Sequence, residues 1–222
     1  MTRPTEPVAA LMDRIARGDL PPADGRVEVL APSGRLCAVL AFTGHHVVVA
    51  DVDAAWVGAR VPDGDMGAPL AASFLDALGE RIGRRYDNLD LVLVADALAG
   101  PPEVELVEVA ANVDHPRAAR ARRYRDDVRV WELVDGTGLV VVGRGIGGRW
   151  EAAFEVDPAA RGRGVGRSLA TAARHLVPAD AALFVQVSPG NSASLRAVMG
   201  AGGFRPVGGE ALFPPAGGRA DP

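Results

Sequence analysis

Apolar runs rich in valine and leucine alternate along the chain with stretches of helical periodicity. Short apolar runs bounded by turn residues predict strands, and apolar residues spaced three or four apart predict helices. In the first half we predict one helix at 71–82 and strands at 26–30, 36–42, 46–52 and 91–95. In the second half we predict helices at 115–126 and 192–198, and strands at 104–109, 128–133, 138–143, 150–156, 183–187, 204–207 and 211–213. This order predicts a mixed sheet with helices, of α/β or α+β class.

The two halves carry a similar segment. Residues 34–56 align with residues 138–160 at a constant offset, so that Gly34 matches Gly138 and Asp53 matches Asp157. The alignment predicts that two strands and a turn occur twice. A chance match is the alternative, because Gly, Ala and Val are abundant in this chain.

Composition and charge narrow the class of protein. The 222 residues carry a formal net charge of −4, which argues against a general nucleic-acid binder. No apolar run approaches the length of a membrane span, so we expect no membrane partner. Cys37 is the only cysteine, which excludes a disulfide framework. The first residues are charged where a signal peptide would be apolar, and we therefore predict a cytoplasmic setting.

A loop rich in glycine and arginine precedes one of the predicted helices. Its sequence is AARGRGVGRSLA, at 159–170. The first amide groups of a helix lack internal partners and lie at the positive end of its dipole, which suits a phosphate group. Arg167 stands where a dinucleotide fingerprint needs its third glycine, and no lysine completes a Walker A motif.

The run from Arg161 to Gly166 matches the Arg/Gln-x-x-Gly-x-Gly/Ala signature of another family. Asn191 and Gly203-Phe204 stand where that family has an asparagine before a short helix and a Gly-Phe pair before the next strand. Over 104–213 the sequence therefore resembles the GNAT superfamily of acyl-CoA-dependent N-acyltransferases. The resemblance implies a mostly antiparallel mixed sheet flanked by helices.

The aligned segments extend this expectation to the whole chain. They predict the GNAT-like architecture twice, and the breaker Gly100-Pro101-Pro102 separates the two halves. Residues 1–100 would be a degenerate half, and residues 101–222 the catalytic domain that binds acetyl-CoA. In the first half the insert that holds Asp63 and Asp65 would repel a pyrophosphate, so we predict one coenzyme A per chain.

The resemblance also assigns a coenzyme A site without a metal. The pyrophosphate would lie on the loop amides, where Gly164 and Gly166 let the backbone approach, and pantetheine would pair with the open edge of the preceding strand. The resemblance also assigns Asn191, before the later helix, to the coenzyme A site. The assigned residues are Phe154, Glu155, Val156, Arg161, Gly162, Arg163, Gly164, Val165, Gly166, Arg167, Ser168 and Asn191.

Acetyl transfer to an amine requires a general base whose pKa is raised toward the working pH. Strand alternation places Glu151 and Glu155 on one face of 150–156. Glu151 lies close to the position of the catalytic glutamate in several superfamily members and is our first choice, with Glu155 second. The alternative is that both are solvent-facing strand carboxylates. Val198 and Met199 stand where many members of the superfamily have a tyrosine that acts as the general acid.

The resemblance implies an N-acetyltransferase that moves an acetyl group from acetyl-CoA to a primary amine. The amine would belong to a small molecule or a peptide, and a homodimer is compatible with the sequence. Water or Tyr124 would protonate the leaving thiolate. The alternatives are a non-catalytic acyl-CoA binder and a scaffold whose first half mediates assembly. We expect His45-His46 to be a strand end rather than part of a metal site.

Overall fold

The computed structural model describes residues 7–62, 64–110 and 112–216. Contacts between residues divide the chain into two compact units, Met1–Leu91 with Val207–Pro222, and Val92–Pro206. The unit boundary therefore lies before the predicted break at residue 100, and the final strand returns to the first unit. Asp63, part of the predicted acidic insert, lies outside the described residues.

The described part of the first unit contains three α-helices, two of which, α1 and α2, the sequence pattern did not predict. The elements are α1 (Pro7–Ala16), β1 (Arg26–Leu30), β2 (Cys37–Phe42), β3 (His45–Val49), α2 (Ala54–Gly58), α3 (Ala72–Ile82), the start of β4 (Leu89–Asp96) and most of β10 (Arg205–Phe213). In α1 one face buries Val8, Leu11, Met12 and Ile15. This spacing is that of an amphipathic helix.

An antiparallel hairpin of β2 and β3 forms the centre of the first unit's sheet. Strand β1 lies parallel to β3, and β10 lies antiparallel to β2. Every residue of β2 and β3 is buried, which explains why both strands read as nearly continuous apolar runs. His45 and His46 begin β3, as the sequence predicted.

The second unit contains the rest of the chain's elements. They are the end of β4, β5 (Leu106–Val109), α4 (Pro116–Tyr124), β6 (Asp126–Leu133), β7 (Gly138–Arg144), β8 (Trp150–Val156), α5 (Val165–Ala173), β9 (Ala182–Val187), α6 (Ser192–Gly200) and the first residues of β10. The strand order is β4-β9-β8-β7-β6-β5. Strands β5 to β8 are antiparallel neighbours, and β8 and β9 are parallel. The predicted mixed, mostly antiparallel sheet is therefore confirmed.

Helices α4 and α5 pack on this sheet in the second unit. Ala118 and Ala121 of α4 form a buried cluster with Leu139 and Val141 of β7. Gly138 lies so close to Leu169 of α5 that a side chain there would collide with it. Neighbouring residues of β7 thus face different helices, as strand alternation requires.

The predicted twofold repetition of this architecture is not confirmed. In the first unit the strand parallel to the hairpin is β1, which precedes it in the chain. In the second unit the parallel strand is β9, which follows the hairpin. The aligned segments therefore share a hairpin but not a strand order. In the described part of the chain no helix is long and apolar enough to cross a membrane.

Candidate functional site

Strands β8 and β9 separate part of the way along their length. Their pairing runs from Trp150 opposite Leu183 to Ala152 opposite Val185 and goes no further in the described structure. On its other side β8 stays paired with β7 as far as Val156. The segment 154–156 therefore has an open edge toward β9, at the place where the sequence predicted one.

The chain turns sharply between β8 and α5. The Asp157 carboxylate accepts a hydrogen bond of 2.8 Å from the Ala159 amide and fixes a short 3₁₀ turn at Pro158–Ala160. Gly162 and Gly164 follow, with φ angles of 77° and 88°. Both angles lie in the left-handed region that residues with a side chain rarely adopt, so glycine is required at these two positions for the backbone itself.

Gly164 caps α5 without help from a side chain. The amides of Arg167 and Ser168 both donate to its carbonyl oxygen, at 2.9 and 3.1 Å. Among the described residues, the amides of Val165 and Gly166 make no backbone hydrogen bond outside the helix. These two amides can therefore donate hydrogen bonds to an anion bound at the start of the helix.

Gly166 has a different reason to be glycine from the one we predicted. A Cβ atom there would lie 3.3 Å from Cβ of Ala197 in α6 and 3.7 Å from a methyl group of Val156. The small residue thus allows close packing of α5 against α6 and β8. Packing accounts for this glycine without a ligand.

The three arginines of the loop have different surroundings. Arg161 donates from Nε to the carbonyl oxygen of Val156 at 3.2 Å, so its side chain turns back onto the open edge. The Arg167 guanidinium lies against Gly200 of α6, with Nε 3.1 Å from where a Cβ would be. Arg163 is exposed. Of the three, Arg163 is the one best placed to meet an anion from solvent.

Asn191, which the resemblance assigned to coenzyme A, has a structural task in α6. It is the N-cap residue, and its side-chain oxygen accepts a hydrogen bond of 3.1 Å from the Ser194 amide. Such a cap satisfies one of the otherwise unpaired amides at the helix start. The capping alone explains an asparagine at this position.

Glu151 is enclosed by two arginines. Its side chain is 1% exposed, and it accepts hydrogen bonds of 2.8 Å from Nε of Arg125 and from Nε of Arg149. Gly145 lies against the carboxylate and leaves no room for a side chain of its own. Arg149 also stacks over the ring of Phe184, 4.9 Å from its centre.

This arrangement corrects the expectation of a raised pKa at Glu151. Burial disfavours the charged carboxylate, but the two guanidiniums outweigh that effect and hold the pKa of Glu151 below its usual range. A carboxylate whose charge two cations neutralise is a poor proton acceptor at neutral pH. It is also not solvent-facing, so the alternative interpretation of this residue is wrong as well.

Glu155 lies on the same side of β8, nearer the open edge. Its Oε2 atom is 3.2 Å from Nε of Arg117 in α4, and both side chains are a little over one-third exposed. The ion pair is accessible to solvent and therefore worth little to stability. Glu155 thus combines an open position with a single, weak partner.

Gln186 in β9 is a candidate site residue that the sequence pattern did not predict. This residue directly follows the last pair between β8 and β9. Its Oε1 accepts a hydrogen bond of 3.1 Å from Arg125, and its Nε2 is buried and lacks a partner among the described residues. Because the guanidinium only donates, the amide must turn Nε2 away from it. Periodicity gives no signal for such a residue, since its neighbours are distant in sequence.

Tyr124, named as a candidate acid, is a buried residue of α4. The guanidinium of Arg120 lies 5.0 Å from the centre of its ring. In the described part of the chain no three His, Cys, Asp or Glu side chains converge as a metal site would require.

Comparison with known proteins gives likenesses at the level of structure. No family model and no curated protein matches the chain. A GCN5-related N-acetyltransferase from Sphaerobacter thermophilus has 14% identity and a TM-score of 0.39, covering 65% of this chain and 56% of that chain. A GCN5-related N-acetyltransferase from Kribbella flavida has 17% identity and a TM-score of 0.38, covering 65% of this chain and 64% of that chain.

A tandem GNAT protein from the clavulanic acid biosynthesis pathway is a third similar structure. It has 15% identity and a TM-score of 0.36, covering 66% of this chain and 59% of that chain. All three bear the name of the family that the sequence resembles. The chain spans less than two thirds of the length of each.

Proposed function

We propose that the chain is an N-acetyltransferase that transfers the acetyl group of acetyl-CoA to a primary amine. One observation carries the proposal: the open edge of β8 leads within a few residues to the glycine-capped start of α5. Coenzyme A joins an arm that contains amides to a pyrophosphate. A strand edge suits the amides, and a helix start suits the pyrophosphate.

The residues present fit such a ligand. The amides of Val165 and Gly166 and the guanidinium of Arg163 would hold the pyrophosphate. The backbone of 154–156 would pair with the pantetheine amides. The Arg161 side chain already uses one lone pair of the Val156 carbonyl, which leaves the second for the ligand.

Bound acetyl-CoA supplies a thioester, whose acetyl carbon forms a bond to the amine nitrogen as the carbon–sulfur bond breaks. The incoming ammonium must first lose a proton, and the leaving thiolate takes up the second proton that the nitrogen releases as the amide forms. We assign the proton acceptor to Glu155. Its carboxylate lies at the open edge with one exposed partner, whereas that of Glu151 is fully neutralised.

Glu151 then acts as a positioning residue. It fixes Arg125, and Arg125 in turn orients the Gln186 amide beside the point where β8 and β9 separate. A buried donor without a partner is rare in native proteins and calls for an explanation, such as an ordered water, an ion or a catalytic role. We propose that Gln186 Nε2 donates to a carbonyl oxygen of the bound substrates.

The first experiment measures thiol release from acetyl-CoA in the presence of a broad panel of primary amines, both small molecules and peptides. Release that depends on an amine and yields its N-acetyl product is the expected result. Tight binding of acetyl-CoA without transfer to any amine would contradict the proposal. It would favour the non-catalytic acyl-CoA binder. Val198 and Met199 support that alternative, because they stand where many superfamily members have a tyrosine that acts as the general acid.

A further inference from the structure

The ion pair between Arg117 and Glu155 uses only part of each side chain. Its one contact joins Nε of Arg117 to Oε2 of Glu155 at 3.2 Å. An arginine that meets a carboxylate in the fork geometry forms two parallel hydrogen bonds and engages both oxygens. Here the terminal nitrogens of Arg117 and Oε1 of Glu155 make no hydrogen bond within the described part of the chain. The pair therefore keeps donors at one end and an acceptor at the other.

A ligand from solvent can reach both ends of this pair. Glu155 lies directly opposite Leu139 in β7, and residues directly opposite one another share a face of the sheet. Leu139 packs against α4, the helix that carries Arg117. Both side chains of the pair are nevertheless more than one-third exposed. Because an exposed ion pair contributes little to stability, a ligand that inserts its own charges displaces little.

The surroundings of the pair are positive. Helix α4 carries four arginines and no acidic residue over its whole length. The charge of Glu151, on the same face of β8 as Glu155, is already neutralised by two guanidiniums. A simple ammonium compound would be repelled by this surface more than a molecule that also carries a negative charge.

The two open ends of the pair require opposite charges on one ligand. The terminal nitrogens of a guanidinium only donate, and their planar geometry matches a carboxylate. The oxygen Oε1 of Glu155 only accepts when the carboxylate is ionised, and an ammonium group can donate to it. Because Arg117 and Glu155 are in contact, one molecule satisfies both ends only if its two charges lie within a few bonds of each other. An α-amino acid has this arrangement.

We infer that the acceptor is such a zwitterion, with its ammonium group on Glu155 and its carboxylate on the terminal nitrogens of Arg117. Its identification as the acceptor rests on the proposed function, in which Glu155 removes a proton from that ammonium. Arg117 is then the residue that distinguishes amino acids from amines that lack a carboxylate.

The test compares acceptors that differ only in the carboxylate. Glycine, L-serine, L-leucine and L-phenylalanine are each assayed against their own carboxamide, with the full chain and acetyl-CoA. The ammonium group of a carboxamide loses its proton more readily, so the chemistry alone favours the carboxamide. We expect the wild type instead to prefer the amino acid by about tenfold or more in kcat/KM, the value of one hydrogen-bonded contact between charged groups.

Arg117→Gln is the informative variant. Arg120→Gln is the control, because it removes the same charge from an exposed position of the same helix. The preference for the amino acids should disappear in Arg117→Gln and persist in Arg120→Gln. This ratio is independent of any effect on Glu155, since both acceptors use the same base. Equal kcat/KM for amino acids and carboxamides in the wild type, or the same loss of preference in both variants, would overturn the inference.

Calorimetry with the same four amino acids and coenzyme A separates this inference from the proposed function. Transfer to amines without a preference for a carboxylate would contradict the inference alone. Binding that Arg117→Gln weakens about tenfold, without any transfer, would support the zwitterion site and contradict the proposed function. Neither transfer nor binding would contradict both.

Discussion

The hairpin of β2 and β3 and the hairpin of β7 and β8 come from aligned sequences but have different neighbours. Both are antiparallel, and in both the aspartate after the second strand accepts a hydrogen bond from the amide two residues later. Asp53 accepts from Ala55 at 2.6 Å, and Asp157 accepts from Ala159 at 2.8 Å. The local similarity thus extends through a strand pair and its turn.

Beyond the turn the two regions diverge. Asp53 directly caps α2, which has five residues, so a carboxylate already occupies the start of that helix. After Asp157 the chain continues to Gly164, whose helix has no side-chain cap. A similar hairpin can therefore lead either to a closed helix start or to one that is open to an anion.

The largest effect should follow from Glu155→Gln. If Glu155 is the base, turnover should fall by about 10²- to 10⁴-fold, the usual contribution of general base catalysis, with little change in acetyl-CoA affinity. The aligned residue of the first hairpin is the exposed Asp51, so Asp51→Asn is the control. Full activity in Glu155→Gln would remove this residue from the mechanism.

Glu151→Gln should chiefly reduce stability. The aligned residue in β3 is the fully buried Val47, whereas Glu151 is held between two arginines. Removing the charge leaves two buried guanidiniums uncompensated, which costs about 3 kcal/mol or more of unfolding free energy. Chemical denaturation measures this cost, with the exposed Glu105→Gln as control. A stable variant with turnover lowered 10²-fold would instead restore Glu151 as the base.

The difference in stability between wild type and Glu151→Gln should also depend on pH. Because the pKa of Glu151 is lower in the folded state than its usual value, its contribution to stability is fully present above the pKa of the unfolded chain. That contribution is lost as the pH falls through the folded-state pKa. The difference in unfolding free energy between wild type and Glu151→Gln should therefore shrink only in acid, below about pH 4.3. A difference that shrinks near neutral pH would contradict the lowered pKa.

Arg163→Glu should weaken acetyl-CoA binding by about tenfold, the effect of losing one charged contact to a phosphate. The aligned position of the first unit is Ala59, so we expect one coenzyme A per chain. Calorimetric titration reports both affinity and stoichiometry. Arg17→Glu, an exposed charge reversal in the first unit, should change neither. Two equivalent sites per chain would show that the first hairpin also leads to a phosphate site.

The smallest effects should come from the two aligned aspartates. Asp53→Ala and Asp157→Ala each remove a capping carboxylate and should each cost about 1 kcal/mol of unfolding free energy. Only Asp157→Ala should also weaken acetyl-CoA binding, because it loosens the turn that leads to the open helix start. Thermal denaturation and calorimetry together test this. An equal effect of both variants on acetyl-CoA affinity would contradict the difference between the two regions.

Local pattern predicted most of the second unit's elements. Strand β8 occupies 150–156 as predicted, and β7 differs from its prediction by one residue. Their apolar alternation and the flanking glycines act within a few residues, so sequence alone reveals them. The same holds for the helix that follows the glycine loop. By contrast, α1 in the first unit was missed although its apolar spacing is that of a helix.

The sequence by itself determined where strands and helix starts lie, because those depend on neighbouring residues. Tertiary structure decided which residues from distant parts of the chain contact these elements. Gly208-Gly209 resembles a break between two short strands, yet β10 continues through both, because Gly208 lies against the carbonyl of Ala41 in β2. Alternation likewise assigns Glu151 to a face of β8, but only the fold brings Arg125 to it and so reverses the expected shift of its pKa.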